Sequence, residues 1–411
     1  MEVRLFGLVA LGAALLVPSV AFAADPTPPT ETPVVSPEPT PPAQTPPTET
    51  PPAETPPAET PPAETPPAET PVEAAPATAH PPGFSLGADI RLHARFDVSY
   101  ERHTYSDNPS DGKDALRINH KFVFLTRHAK SDPFFFNAEV LGLNFYEIGY
   151  RLRPTDLEEP WRFAVSAGKV LVPFGAEPLY HHAYGGRVGG DQRFVPVMWA
   201  DLGVKATFNL DLEPVHLRFD AYAVNGLALP NDKPETRLNI GGHASPLGDL
   251  NLAGGGRISA SIGPLNLYYS VYGSALNFDK TVVMQGLDIS LFRLPGVPFL
   301  EDLAISAGVV RADVWGGGDP AYYHFADYIE VRYYPFDTLF IQYRGGLDMR
   351  DNRSGVFADA ARLDKLDTSG HAVGIGWQIH GLTLLAQHHW QLELADEQPD
   401  DFFRITATYE F

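Results

Sequence analysis

Charged side chains recur at alternate positions along segments whose intervening residues are apolar, and that spacing is the chemistry this chain offers. Arg91, Arg95 and Asp97 alternate with Ile90, Leu92, Ala94 and Phe96. Lys121, Lys205, Arg218 and Arg344 fall in similar runs, interleaved along the chain with Glu147, Asp220, Glu330 and Glu410. Successive side chains of a strand face opposite sides, so these charges are expected to share a wet face. Fixed charges of both signs around water set up a transverse field that sorts passing ions and polar solutes by Coulomb energy. The connection 170–198 adds His181, His182, Arg187, Asp191 and Arg193. A connection of almost thirty residues inside a compact architecture usually carries function, and here it is expected to form a constriction. An imidazole there titrates near neutral pH.

Other chemistry finds little support. His181-His182 and His388-His389 are adjacent, and neighbours on a strand point apart, so neither pair chelates one ion as a strand dyad. The chain has no His-Glu-x-x-His and no Gly-x-Ser-x-Gly, so neither a metal centre nor a serine hydrolase is expected. With no cysteine, thiolate chemistry, iron–sulfur clusters and cysteine-based zinc sites are excluded. We expect no cofactor and no enzyme. The net charge of −21 argues against nucleic acid, which needs clustered cations.

The elements that position these charges are strands. Alternation of apolar and polar residues marks 86–101, 116–127, 145–153, 161–169, 202–210, 215–224, 252–262, 265–273, 303–310, 328–334, 339–349, 373–379, 382–394 and 403–411. Weaker runs lie at 134–142, 236–245 and 281–292. Turn chemistry such as His380-Gly381 and Gly263-Pro-Leu-Asn266 separates several of them. No later stretch approaches the ~18 uninterrupted apolar residues of a helical span, and a chain without one crosses a membrane only as a closed barrel. These segments number seventeen, and single-chain bacterial barrels carry an even number, so one of them, between about 134 and 281, is not a wall strand. The expected fold is therefore all-β: a transmembrane antiparallel barrel over 84–411 with sixteen strands, eighteen being the alternative. The final strand ends on Phe411, at the end expected to be periplasmic. Counting back, 395–401, 350–370 and 312–325 are expected as outer loops.

The N-terminal part reads differently. Arg4, the apolar run Leu5 to Val20 and Ala21-Phe22-Ala23 fit a secretory signal peptide over 1–23. Residues 24–83 form a second segment, with 22 of the 40 prolines between 24 and 82 and four copies of Thr-Pro-Pro-Ala-Glu ending at Glu69. Paired prolines favour polyproline II over helix or sheet, and six glutamates between Glu49 and Glu73 repel one another. This segment is expected to be disordered in the periplasm. Residues 26–82 are candidates for cell-wall contact.

Two motifs carry a more specific resemblance. Gly168-Lys169-Val-Leu-Val-Pro173-Phe174-Gly175, at the end of a strand, and Tyr222-Ala-Val-Asn225-Gly226 resemble outer-membrane porins related to the phosphate-selective porin O and P family. Phe145-Tyr-Glu-Ile-Gly-Tyr-Arg151 upstream fits as well. The resemblance covers about 84–246 and implies a sixteen-stranded homotrimer in outer-membrane lipids with one loop folded into the lumen. It also implies passive diffusion of small hydrophilic solutes or ions. Mixed charges on the wet face argue for a general pore more than for an anion-specific one. A reading of another class makes the barrel mainly an anchor that tethers the envelope through the proline-rich arm.

Overall fold

A computed structural model describes residues 84–87, 89–103, 115–128, 132–143, 145–152, 160–176, 199–226, 252–276, 280–316, 319–351, 368–393 and 401–411. The strands are β1 (Phe84–Gly87), β2 (Ile90–His103), β3 (Ala115–Arg127), β4 (Phe134–Glu139), β5 (Tyr146–Arg151), β6 (Trp161–Leu171), β7 (Ala200–Leu212), β8 (Val215–Val224) and β9 (Ala253–Ile262). They continue with β10 (Leu265–Leu276), β11 (Lys280–Phe292), β12 (Leu303–Gly316), β13 (Asp319–Phe336), β14 (Leu339–Asp351), β15 (Thr368–Ile379), β16 (Leu382–Glu393) and β17 (Phe402–Glu410). Each strand from β2 to β17 pairs antiparallel with the next, and β17 returns to β2 from Phe402↔His103 to Glu410↔Arg95. The result is a closed barrel of sixteen strands. Closure removes the two unpaired edges that an open sheet presents.

The C-terminal residue completes the seam. The Phe411 N–H donates to the Ala94 carbonyl at 3.1 Å, and the Ala94 N–H donates back at 3.0 Å. Beyond that point β1 takes over the free side of β2, pairing Phe84 with Leu92 and Ser85 with Arg91. The run 86–101 is therefore not one long strand. The chain reverses at Asp89, which has φ +61°, a left-handed conformation that Asp tolerates better than most residues. The short reversals Glu213-Pro214, Gly263-Pro264, Asp337-Thr338 and His380-Gly381 lie at this same end. His380 and Gly381 both have positive φ, 46° and 80°, as a two-residue hairpin turn requires.

Three expectations are corrected. Strand β8 pairs directly with β9, from Val215↔Ile262 to Val224↔Ala253, so nothing from 236–245, which lies outside the described residues, stands between them in the wall. The stretch 312–325 is not a loop: β12 runs to Gly316 and β13 starts at Asp319. Its alternation continues through Val310, Ala312 and Val314, all buried. The third concerns β3. His120 pairs with Asp97 but Ile118 pairs with Val98, so Asn119 is an extra residue. One extra residue shifts the face of everything beyond it.

The two faces are chemically distinct. On β8, Asp220, Tyr222 and Val224 are buried inside while Phe219 is exposed. On β15, Val373, Ile375 and Trp377 are exposed on the outer face. Leu384, Phe403, Ile405 and Tyr409 continue this apolar outer surface. The wall is lowest at β4 and β5, six residues each. There Phe124, Phe145 and Ala200, with Phe122 and Leu171, pack together on the inside between β3 and β7.

Candidate pore interior

The inner charges are paired locally. On β2, Arg95 contacts Asp97 at 3.2 Å and Glu410 of β17 at 2.7 Å. Arg404 reaches Glu101 at 2.6 Å, and Arg117 meets the same carboxylate at 3.2 Å. Lys205 lies 2.8 Å from Glu147, which also accepts hydrogen bonds from Asn137 and Ser166, both at 2.8 Å. Arg218 lies 2.9 Å from Asp220. Arg344 is 2% exposed and 3.6 Å from Glu330, which Arg332 contacts at 2.8 Å. A strand row two residues wide brings such pairs together, because alternate residues of one strand and direct cross-strand partners share a face. Opposite charges at these separations largely cancel at longer range, so this part of the wall exerts a weak net field.

The interior also has an apolar half. Tyr222, Tyr272, Met284, Val310, Ala312 and Tyr328, from β8 and β10 to β13, are among the buried residues that form one cluster with Val172, Phe174 and Trp199. Val172 and Phe174 begin the connection 170–198 and Trp199 follows it, so both ends of that connection turn to the inner face. Phe174 is fully buried, its ring 5.7 Å from Trp199 and 3.1 Å from the position a side chain at Gly286 of β11 would take. The Gly175 N–H donates to the Ser270 hydroxyl at 3.0 Å. Arg257 donates to the Gly175 carbonyl at 3.0 Å and to Asp220 at 3.0 and 3.2 Å. One buried guanidinium thus joins the base of the connection to the β8 wall.

The expected site residues divide accordingly. Arg91, Arg95, Lys205, Arg218 and Arg344 face inward, Arg91 at the end where the short turns lie and opposite the buried Thr126. Lys121 does not line the interior. It pairs with Phe96, which is on the outer face, because the extra residue Asn119 inverts the phase that simple counting from Arg117 implies. His181, His182, Arg187, Asp191 and Arg193 lie outside the described residues. The adjacent histidines of β16 do point apart: His389 is buried and stacks on Phe402 with centroids 4.3 Å apart, whereas His388 packs edge-on to Trp390. Arg257 was missed although the alternation of Ile258, Ala260 and Ile262 with Ser259 and Ser261 marks its face; what the sequence does not show is its contact with Asp220 and Gly175.

No family model matches the chain, and no curated protein does. Among solved structures, the outer membrane channel DcaP of Acinetobacter baumannii is similar at 11% identity, covering 80% of this chain and 99% of that one, with a TM-score of 0.49. Salmonella typhi OmpF in complex with daunomycin is 9% identical, covering 78% and 97%, with a TM-score of 0.49. The anion-selective porin from Comamonas acidovorans is 9% identical, covering 78% and 99%, with a TM-score of 0.45.

Proposed function

We propose that this chain is an outer-membrane porin, a water-filled channel for passive diffusion of small hydrophilic solutes or ions. The observation that carries this reading is a closed barrel with charged and polar groups inside and exposed Ile, Val, Leu and aromatic side chains outside. That is the arrangement a bilayer selects for a strand-built span. The connection 170–198 narrows the lumen, a reading supported by the burial of Phe174 and the anchoring of Gly175. Because most of the described wall cations are locally paired, the charges of that connection, Arg187, Asp191 and Arg193, set the ion preference together with the net positive charge of Arg218 and Arg257 around Asp220. A homotrimer is supported by the low wall and the neighbouring β3, where Leu116, Ile118, Leu143, Ile148 and Leu152 are 61–76% exposed. The relation to the O and P porins rests on Gly168-Lys169 leading into Pro173-Phe174-Gly175. Recording from purified protein in a planar bilayer tests the reading: stepwise ohmic conductance is expected, and a barrel that conducts nothing overturns it.

The proline repeats favour a second role for the same chain, with residues 26–82 as a periplasmic arm that contacts the cell wall. Deleting 26–82 should then abolish co-sedimentation with cell wall and leave conductance intact. Unchanged co-sedimentation removes this role.

A further inference from the structure

The inner face of β15 carries almost no side chain. Gly370, Ala372, Gly374 and Gly376 follow one another there, all buried. The side chains of β14 and β16 therefore stand on either side of a groove one strand wide. Register places Gln342 and Gln387 opposite each other across Gly374, and Arg344 and His389 across Ala372. Two strand spacings put the backbones of such partners roughly 9–10 Å apart. The Phe340 ring closes the groove over Gly376, where any side chain would run into it. The Gln387 stem leans over Gly374, its Cγ 2.6 Å from the position a side chain there would take. Both glutamines are 1% exposed.

The wall does not satisfy their carboxamides. Among the described residues, neither Nε2 nor Oε1 of Gln387 has a hydrogen-bond partner, and Gln342 Oε1 has none either. Gln342 Nε2 donates to Glu330 at 3.2 Å. A buried amide left this way raises the free energy of the empty groove, and a guest that hydrogen-bonds to it relieves that cost. The charges around the groove are already engaged: Arg332 and Arg344 contact Glu330, and Arg404 and Arg117 contact Glu101. What the groove presents to a guest is therefore neutral, one amide donor and two carbonyl acceptors. A carboxylate has no proton for the two acceptors, and an ammonium accepts nothing from Gln387 Nε2. A hydroxyl both donates and accepts, so adjacent hydroxyls on one small molecule answer all three groups.

We propose that the groove between β14 and β16 is a binding station for neutral polyhydroxylated solutes, sugars or polyols, in transit through the lumen. Gln387 Nε2 donates to one hydroxyl, while Gln387 Oε1 and Gln342 Oε1 accept from it and its neighbour. The unbranched Gln387 stem swings off the Gly374 floor to admit the solute. This rests on the channel reading above and deepens it by naming a class of solute. It also gives Gly374 a role, since a side chain there would push the Gln387 stem out of the groove.

The test adds glucose to the full chain in a planar bilayer and reads its dissociation constant from the solute-induced current noise. The comparator is fully methylated glucose, which keeps the acceptors and has no donor. Glucose should bind tighter than the ether by about tenfold, the scale of two neutral hydrogen bonds. Gln387→Leu removes a donor and an acceptor and should weaken glucose about tenfold; Gln342→Leu removes one free acceptor and should weaken it about threefold. Conductance and reversal potential in potassium chloride should not change, since neither variant alters a charge. Both should assemble, because each replaces an unsatisfied buried amide with an apolar group, and Gly374→Ala, which displaces the Gln387 stem, gives a third route to the same loss. Equal binding of the two solutes, or glucose affinity unchanged in the variants, overturns the proposal; the second result marks the amides as held by buried water alone. A conducting barrel indifferent to glucose removes the station only, whereas a barrel that conducts nothing removes the channel reading and the station with it.

Discussion

Replacing Arg257 with Met isolates what holds the connection 170–198 to the wall. The substitution keeps an unbranched apolar stem and removes three hydrogen bonds, two to Asp220 and one to the Gly175 carbonyl. Asp220 keeps Arg218 at 2.9 Å and Thr207 at 2.7 Å, so the full penalty for orphaning a buried charge does not apply. Gly175 keeps its bond to Ser270, and Phe174 keeps its packing. A hydrogen bond from a charged donor contributes roughly 1.5–3 kcal/mol, so the base of the connection should loosen by about 2 kcal/mol. At ~1.4 kcal/mol per factor of ten, the released population rises about thirtyfold. Single-channel recording should then show a comparable increase in transitions between current levels. The local charge also changes, since Arg218, Arg257 and Asp220 sum to +1 and Arg218 with Asp220 to zero, so the reversal potential in asymmetric salt should move toward cations. Phe174→Ala supplies the control. It removes a fully buried ring from the same base and should raise the current transitions without moving the reversal potential. A folded Arg257→Met channel with the original transition rate and reversal potential would refute the reasoning.

Other outcomes follow from the facing of particular residues. Lys205→Met leaves Glu147 with Asn137 and Ser166 only, and should lower stability by an amount near the bottom of the ~3–5 kcal/mol range for breaking a buried pair, read from denaturant-driven unfolding in detergent. Lys121→Glu should leave ion preference unchanged, because the side chain is outside; a shifted reversal potential would put it in the pore. Ile375→Arg places a charge on the outer apolar face and should cost ~2–4 kcal/mol near the midplane. Arg344→Ala should hardly disturb assembly, since Arg332 stays on Glu330, and equal tolerance of both changes would contradict the assigned faces. Arg187→Glu or Arg193→Glu should shift preference toward cations if 170–198 narrows the lumen, and no shift in either would place these side chains away from the path.

Most of the wall was legible in the sequence. The period of two along 215–224, 265–273 and 382–394 matches β8, β10 and β16 to within a few residues at either end. That pattern is local, set by the opposite facing of successive side chains, and Lys205, Arg218 and Arg344 lie on the same face as buried Glu147, Asp220 and Gln342. Longer-range features were not legible. The excess strand, 236–245, could be rejected only once β8 was seen against β9, because pairing partners are not encoded in any one segment's alternation.

Composition and period alone determined an all-β chain whose strands carry one apolar and one charged face, an acidic balance, and a proline-rich segment ahead of it. Only the tertiary structure decided how the charges act. Register placed Glu410 on Arg95 and Glu147 on Lys205, turning what looked like a field across the lumen into local ion pairs. One extra residue at Asn119 sent Lys121 outside. Chain reversal after β6 brought Gly175 to Arg257, 82 positions away. Alternation sets which way a side chain points, but what it meets depends on strands far apart in the chain, and only closing the barrel brings those together.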